Sequence, residues 1–360
     1  MLRGRMRFEL RWHRCPTALG SDRTTEPRPH STARRSRPSR RPTEGPGMSE
    51  HASEVTPESI LTGLEAQWQR AGRFVDTIDP VAALKTYDRL IDLLRPRLAS
   101  LRVAAGLPQD PPAWASWRAR EDHRYRNLPA PSDRVFTYWD KPVHTAPPLV
   151  QACIAQLRTV YPALRVLDGA SVRELITVPQ RVEQLLEKER PAHFSDYIRT
   201  RLLEVHGGIW VDATAWVGRS LDEELEGKYL RSGTVFPRWT RRAIANWFIA
   251  SHPGSPLIAM QRMALETWWD ENDDLPEYFL YHRVFEVLQA LVPELRGQWS
   301  ATPFLSAADA HLLQLEMMQP WRPQTLETIV SIAPLQKLSY KYDTVPEGSV
   351  LEHLTRDYLG

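Results

Sequence analysis

Apolar positions recur at helical spacing in two early stretches. Ile60, Leu61, Leu64 and Trp68 form one, and Leu84, Tyr87, Leu90, Ile91 and Leu94 the other. Pro57 and Pro80 suit helix starts, and Pro96 marks a break or kink. Residues 48–130 therefore read as a helical N-terminal extension. Its polar, Pro-rich end carries Trp114 and Trp117 as docking residues. The period then changes. Val135-Phe136-Thr137-Tyr138-Trp139 is strand-like in its β-branched and aromatic content. Pro147 and Pro148 open a helix whose Leu149, Val150, Cys153, Ile154, Leu157 and Val160 face inward. Leu164 to Leu167 is the next strand and ends at Asp168. Strand, helix and strand within about thirty residues make a βαβ unit with parallel strands. The fold class expected for residues 131–345 is α/β.

The densest pattern runs from His193 to Val217. Ser195 reads as an N-cap, with Ile198, Leu202 and Val205 following at helical spacing. Gly207-Gly208 ends the helix, because glycine tolerates positive φ past a helix end. Ile209-Trp210-Val211 is a buried strand that delivers Asp212 at its C-terminal end, the end where open α/β sheets bind ligands. Asp196 and Arg199, three apart, share one helix face. Beyond Val217 the expected elements are a strand near Val235-Phe236-Pro237, another within Ile244 to Ser251, and helices over Pro256–Trp269, Tyr278–Leu291 and Leu312–Met318. Residues 346–360 read as a C-terminal tail. No internal repeat is present.

Composition narrows the function classes. The 360 residues are 42% hydrophobic and 25% charged, ordinary for a globular protein with a real core. No apolar run approaches bilayer-spanning length. The two cysteines, Cys15 and Cys153, form neither a disulfide framework nor a metal-ligand pattern, which points to a reducing compartment. The net charge of +2 conceals an asymmetry: residues 1–47 sum to +8, leaving −6 for the remainder. A basic nucleic-acid groove on the body is thereby disfavoured. The Arg- and Pro-rich segment 1–47 should be disordered. It could be a nucleic-acid or membrane-surface arm, a targeting peptide, or sequence upstream of a true start at Met48. The last reading is preferred.

Ser195-Asp196-x-x-Arg199 followed by Gly207-Gly208-Ile209-Trp210-Val211-Asp212-Ala213-Thr214 resembles the signature of the capsular-polysaccharide-synthesis glycosyltransferases. These are similar to the glycosyltransferases with a D-x-D sugar region, such as initiating α-mannosyltransferases and the glucosylating domains of clostridial toxins. The resemblance runs from about Arg134 to about Tyr342 and takes in Trp139, the segment Asn246-Trp247-Phe248 and the segment Lys337-Leu338-Ser339-Tyr340-Lys341. It implies a GT-A-type nucleotide-sugar domain. It also implies transfer of a hexose from a nucleoside-diphosphate sugar to a glycan or lipid-linked acceptor, with retention of configuration. A cytoplasmic setting follows, with peripheral membrane association left open.

The resemblance assigns roles residue by residue. Asp212 and Asn246 would serve the chemistry. Trp139, Ser195, Asp196, Arg199 and Lys337 would hold the donor, with Trp139 stacking the base. Asp212 and Thr214 would hold a divalent cation, Mn²⁺ or Mg²⁺. Thr214 stands where the D-x-D pattern has its second acid, and a carboxylate plus a hydroxyl is a weaker site for a hard cation than two carboxylates. Plainer readings accompany each assignment: a turn cap for Asp212, a helical ion pair for Asp196 and Arg199, a core indole for Trp139, surface charges for Lys337 and Lys341. His282 and Tyr278 sit on an otherwise apolar helix, where a satisfied core histidine is the plainer reading than a ligand. Two other functions remain in view. One is a metal-dependent phosphohydrolase, which would need more acids than Asp168 and Asp212. The other is a nucleotide-sugar-binding module without catalysis.

Overall fold

The computed structural model describes residues 79–109, 131–227, 229–240 and 243–358, with positions 116 and 120. The expectations for residues 1–47, the helix near Ile60 and the docking tryptophans Trp114 and Trp117 lie outside the described residues.

Helix α1 (Pro80–Leu94) starts where Asp79 accepts hydrogen bonds from the amides of Val81 and Ala82. A single turn, Arg95–Arg97, carries Pro96 and leads into the short helix Leu98–Ala104. Tyr87, Leu90, Ile91 and Leu94 are buried in the main apolar cluster of the protein, so α1 is part of the body. Each such side chain, fully buried, contributes roughly 1.5–3 kcal/mol.

The sheet follows the expected pattern. Strand β1 (Val135–Tyr138) leads through helix α2 (Pro148–Val160) to β2 (Leu164–Leu167). Helix α3 (Gly169–Leu175) follows at once, because Asp168 caps it with a reciprocal bond to Ser171. Helix α4 (Pro191–His206) then turns sharply into β3 (Gly208–Val211), and β4 (Ala215–Val217) follows. After these come β5 (Thr234–Val235), β6 (Pro237–Arg238) and β7 (Phe248–Ser251). Helices α5 (Pro256–Glu271) and α6 (Leu280–Leu291), then β8 (Leu305–Ser306), β9 (Leu335–Lys337) and α7 (Val350–Thr355), follow, with shorter helices at Pro293–Ala301, Leu312–Glu316 and Pro323–Ile332 between them.

The main sheet runs β2-β1-β3-β7-β5. The pairs β1–β2 and β1–β3 are parallel, whereas β7 joins β3 and β5 antiparallel. The architecture is therefore mixed α/β, built on a parallel three-strand half. Every residue of β3 is buried, as a central strand requires. Two small ladders flank the sheet, antiparallel β4–β9 and parallel β6–β8.

Three expectations need correction. Ser195 is no N-cap: α4 begins at Pro191, and proline suits the first helical position. Tyr278 is not on the apolar helix: α6 begins at Leu280, and Tyr278 is 61% exposed. Residues 346–360 are not a tail throughout. Val350, Leu351 and Leu354 of α7 are buried together with Leu149 and Cys153 of α2.

Candidate active site

The α4–β3 turn depends on its two glycines. Gly207 has φ 66 and ψ −161, a region open essentially to glycine alone. Gly208 has φ 96, and a Cβ there would sit 2.1 Å from the Arg134 carbonyl oxygen. The close approach lets the Ile209 amide donate to that carbonyl at 2.8 Å and start the β1–β3 pairing. A helix and a strand thus run back to back, bringing Asp196 and Arg199 of α4 beside the end of β3.

Asp212 follows β3 and Trp139 follows β1, at the C-terminal edge of parallel strands. The Asp212 amide donates to the Trp247 carbonyl at 2.8 Å, which fixes the start of the turn. One carboxylate oxygen, Oδ1, accepts from the Trp210 indole N–H at 3.0 Å and lies 3.3 Å from Arg199 Nη2. The other, Oδ2, accepts from Lys337 Nζ at 2.9 Å. Lys337 also donates to Thr214 Oγ1 at 2.5 Å.

Arg199 is the hub. Its Nη1 donates to the Asn246 carbonyl at 2.8 Å and lies 3.1 Å from Asp196 Oδ1. Its Nη2 donates to Ser195 Oγ at 3.0 Å. The guanidinium lies over the Trp210 ring, 5.0 Å from the centroid. Asn246 closes the circuit, its Nδ2 donating to Asp196 Oδ1 at 2.7 Å. Arg199 is 5% exposed, so these contacts operate in a poorly solvated setting.

The charges are tuned in opposite directions. Burial would raise the Asp212 carboxyl, but Lys337 and Arg199 outweigh it and hold the group below its ordinary value. Burial also raises Asp196, and there Arg199 and His193 do not overcome it. For Arg199, burial works against the charge, and Asp212 followed by Asp196 more than offsets it. Asp212 is therefore the firmly ionised carboxylate of the pair. Asp196 is the costlier one to keep charged.

Seven of the eight sequence-assigned residues come together: Ser195, Asp196, Arg199, Asp212, Thr214, Asn246 and Lys337. Trp139 sits to the side, packed with Ala146, Val150, Ile154 and Ala213, its ring edge-on to Tyr340 at 5.8 Å. Its indole N–H is buried with no acceptor among the described residues. Lys341 is exposed. His282 is held neutral: burial, then Arg283 and Arg199, push it down to about 3.

Sequence reading assigned no role to Trp210, which both supports Arg199 and donates to Asp212. An apolar strand position gave no signal beyond core packing. Tyr278 was also passed over, yet its hydroxyl lies within electrostatic reach of Asp196, Arg199 and Asp212.

A divalent cation here would draw its protein ligands from Asp212 and Thr214. Both oxygens of Asp212 and the hydroxyl of Thr214 already accept hydrogen bonds, two of them from one ammonium. Among the described residues, no three His, Cys, Asp or Glu side chains gather as a metal-holding group. This donor set is a poor fit for a hard divalent cation, which calls for six or more oxygen ligands from protein, substrate and water.

The sequence profile of the capsular polysaccharide synthesis proteins matches residues 118–354. The chain belongs to that family. The match ends inside α7, in keeping with the burial of that helix. No curated protein matches the chain. Among solved structures, it is similar to one titled PaToxG Glycosyltransferase. That likeness has 13% identity and a TM-score of 0.34, and covers 72% of this chain and 96% of the other. A superposition that loose carries no argument about the chemistry. Among the described residues, no helix is long and apolar enough to cross a membrane.

Proposed function

We propose that the protein is a glycosyltransferase of GT-A type. It would move a hexose from a nucleoside-diphosphate sugar to a hydroxyl of a glycan or lipid-linked acceptor in capsular or surface polysaccharide synthesis. The observation that carries the reading is the four-charge cluster. Two carboxylates, Asp196 and Asp212, are held rigidly by Arg199 and Lys337 at the C-terminal edge of β3. Carboxylates accept hydrogen bonds from sugar hydroxyls, and two cations suit a diphosphate. Such an arrangement needs no reorganisation when charge develops, which is where electrostatic catalysis is strongest.

In the reaction, the bond between the anomeric carbon and a β-phosphate oxygen breaks, and its electron pair stays on the phosphate. The acceptor oxygen bonds the anomeric carbon, and its proton passes to the released diphosphate. Asp212 lies on the sugar side of this exchange, its charge secured by Lys337. Asn246 and Asp196 hold the hydroxyl-binding edge. Trp139, packed beside Ala213, would meet the base. Retention of configuration is part of the proposal and rests on the family likeness alone.

Nothing favours a phosphohydrolase: Asp168 is engaged as a helix cap, and no cluster of acids and histidines surrounds Asp212 among the described residues. The test is a thermal-shift screen over UDP-, GDP- and CDP-sugars, followed by mass spectrometry of products with capsular oligosaccharide acceptors. A specific donor and a product heavier by one hexose are expected. Phosphate release from nucleotides without sugar transfer would overturn the reading. Donor binding with no product would leave a binding module.

A further inference from the structure

We infer that the Lys337 ammonium is the resident cation of this site, held where two-acid sites hold a divalent metal, and that sugar transfer here needs no metal ion. The inference rests on the transferase reading above. It starts from strand pairing. Strand β9 runs antiparallel to β4 with Lys337 opposite Ala215. The Leu338 amide donates to the Thr214 carbonyl at 3.0 Å, locking the register next to the Asp212 turn. A one-residue slip would turn Lys337 to the other face, so its presence here is built into the ladder.

The side chain spans the two positions that the Asp-Ala-Thr sequence offers to a cation. It lies 2.9 Å from Asp212 Oδ2 and 2.5 Å from Thr214 Oγ1. Thr214, in place of a second acid, fits this role. A hydroxyl can accept from an ammonium without adding charge, whereas a second carboxylate would leave the cluster net negative. With Thr214, two carboxylates face two cations and the site is neutral before the donor arrives. Adding a divalent ion would create an excess of two positive charges beside an ammonium in a partly buried pocket, where repulsion is poorly screened.

An ammonium has three N–H donors, and Asp212 and Thr214 take two. The third is available to the diphosphate. When the bond between the anomeric carbon and the phosphate oxygen breaks, the electron pair stays on that oxygen. Lys337 and Arg199 face the negative charge that develops, and the acceptor's proton passes to the released diphosphate. No oxidant, reductant or further reactant is needed.

The full chain is freed of metal with chelator and assayed for transfer with and without added Mn²⁺. Turnover in chelator should stay within about twofold of that in Mn²⁺, because the ammonium supplies the electrostatic role. Lys337→Met keeps the aliphatic stem and removes the charge, and should lower kcat about 100-fold or more. Mn²⁺ uptake, alone and with UDP or GDP, is read in parallel by electron paramagnetic resonance against the same solution without protein. The parent protein should take up no stoichiometric Mn²⁺. Lys337→Met combined with Thr214→Asp should take up one. Loss of parent activity in chelator, restored by Mn²⁺, would overturn the proposal. So would one Mn²⁺ bound by the parent and lost in Asp212→Asn. If no donor turns over under any condition, the transferase reading fails, and the Mn²⁺ binding result still decides this one.

Discussion

Asn246 donates a hydrogen bond from Nδ2 to Asp196 Oδ1 at 2.7 Å, joining two motifs that stand fifty residues apart in the chain. The Asn246 carbonyl simultaneously accepts from Arg199, so one residue serves both members of the helical ion pair. Asn246→Ala would leave a buried carboxylate short of a donor. We expect a loss of about 1–3 kcal/mol in urea denaturation. Asn246→Asp keeps the shape but sets a second acid against Asp196, and should cost more than the alanine. A melting temperature unchanged in both variants would show that the bond contributes nothing.

Arg199 invites a related substitution. Its guanidinium reaches Asn246, Ser195, Asp196 and Asp212 at once, a fork geometry that a lysine cannot copy. Arg199→Lys should fold yet weaken donor binding by at least about tenfold, since the charge survives and the positioning does not. Arg199→Met leaves two poorly solvated carboxylates uncompensated and should cost about 3–5 kcal/mol. Isothermal titration with the donor checks the first, and denaturation the second. Unimpaired donor binding by Arg199→Lys would reduce Arg199 to a helix ion pair.

The double glycine yields a stability prediction with an internal control. At Gly208 a Cβ would meet the Arg134 carbonyl oxygen at 2.1 Å and Arg134 Cβ at 2.8 Å. At Gly348, which also has positive φ, nothing lies within 4 Å of the added Cβ. Gly348→Ala should therefore show only the backbone cost, about 1 kcal/mol. Gly208→Ala should exceed it by several kcal/mol or fail to fold, because the β1–β3 pairing must open. Similar midpoints for the two variants would mean that the close approach is relieved cheaply.

Local patterns carried much of this site. The run from Asp196 to Thr214 holds its own helix, turn and strand, so spacing alone placed both carboxylates and the arginine near one another. Lys337 is different. It reaches Asp212 through a three-residue ladder, β4–β9, that closes over more than a hundred residues. Nothing in the local alternation near Lys337 identifies the partner strand. Trp210 was hidden for another reason: a tryptophan in an apolar strand looks like core until its N–H is seen to find Asp212. The short helix α7 was read as tail because six residues carry too little periodicity, although four of them are buried. Ser195 was misread because a serine before an apolar repeat fits a cap, while Pro191 already starts the helix four residues earlier.

Helix α1 is bound to α6 by a buried polar network. The Tyr87 hydroxyl donates to Glu286, which also pairs with Arg283 at 2.9 Å, and Arg283 Nε reaches Glu277 at 2.9 Å. Tyr87→Phe removes one donor and should cost about 1–3 kcal/mol. Arg283→Met strands two carboxylates and should cost about 3–5 kcal/mol. Arg89 of α1 pairs at the surface with Asp274, in the segment between α5 and α6, and Arg89→Ala should cost at most about 1 kcal/mol. Denaturation of the three variants gives the order. If Arg89→Ala proved the most damaging, the buried network would not be what docks α1.

His282 supplies a pH dependence whose sign is fixed by its surroundings. Burial, Arg283 and Arg199 push the imidazole down to about 3 in the folded protein, against an ordinary value of about 6.5. Between these values the unfolded chain takes up a proton at this position and the folded protein does not. Stability therefore falls as pH is lowered through that window, by at most about 1.4 kcal/mol per pH unit from this group. Carboxylates such as Asp212, whose folded value is depressed, also lose stabilisation in acid, so the parent protein alone cannot isolate the histidine. His282→Phe can: its neighbours Phe279 and Tyr281 are aromatic, with ring centroids 5.5 and 6.0 Å away. The variant should lose less stability than the parent between about pH 6.5 and about pH 4, with the gap widening toward the acid end. Urea unfolding at a series of pH values reads the gap directly, and parallel curves for the two proteins would remove His282 as the source.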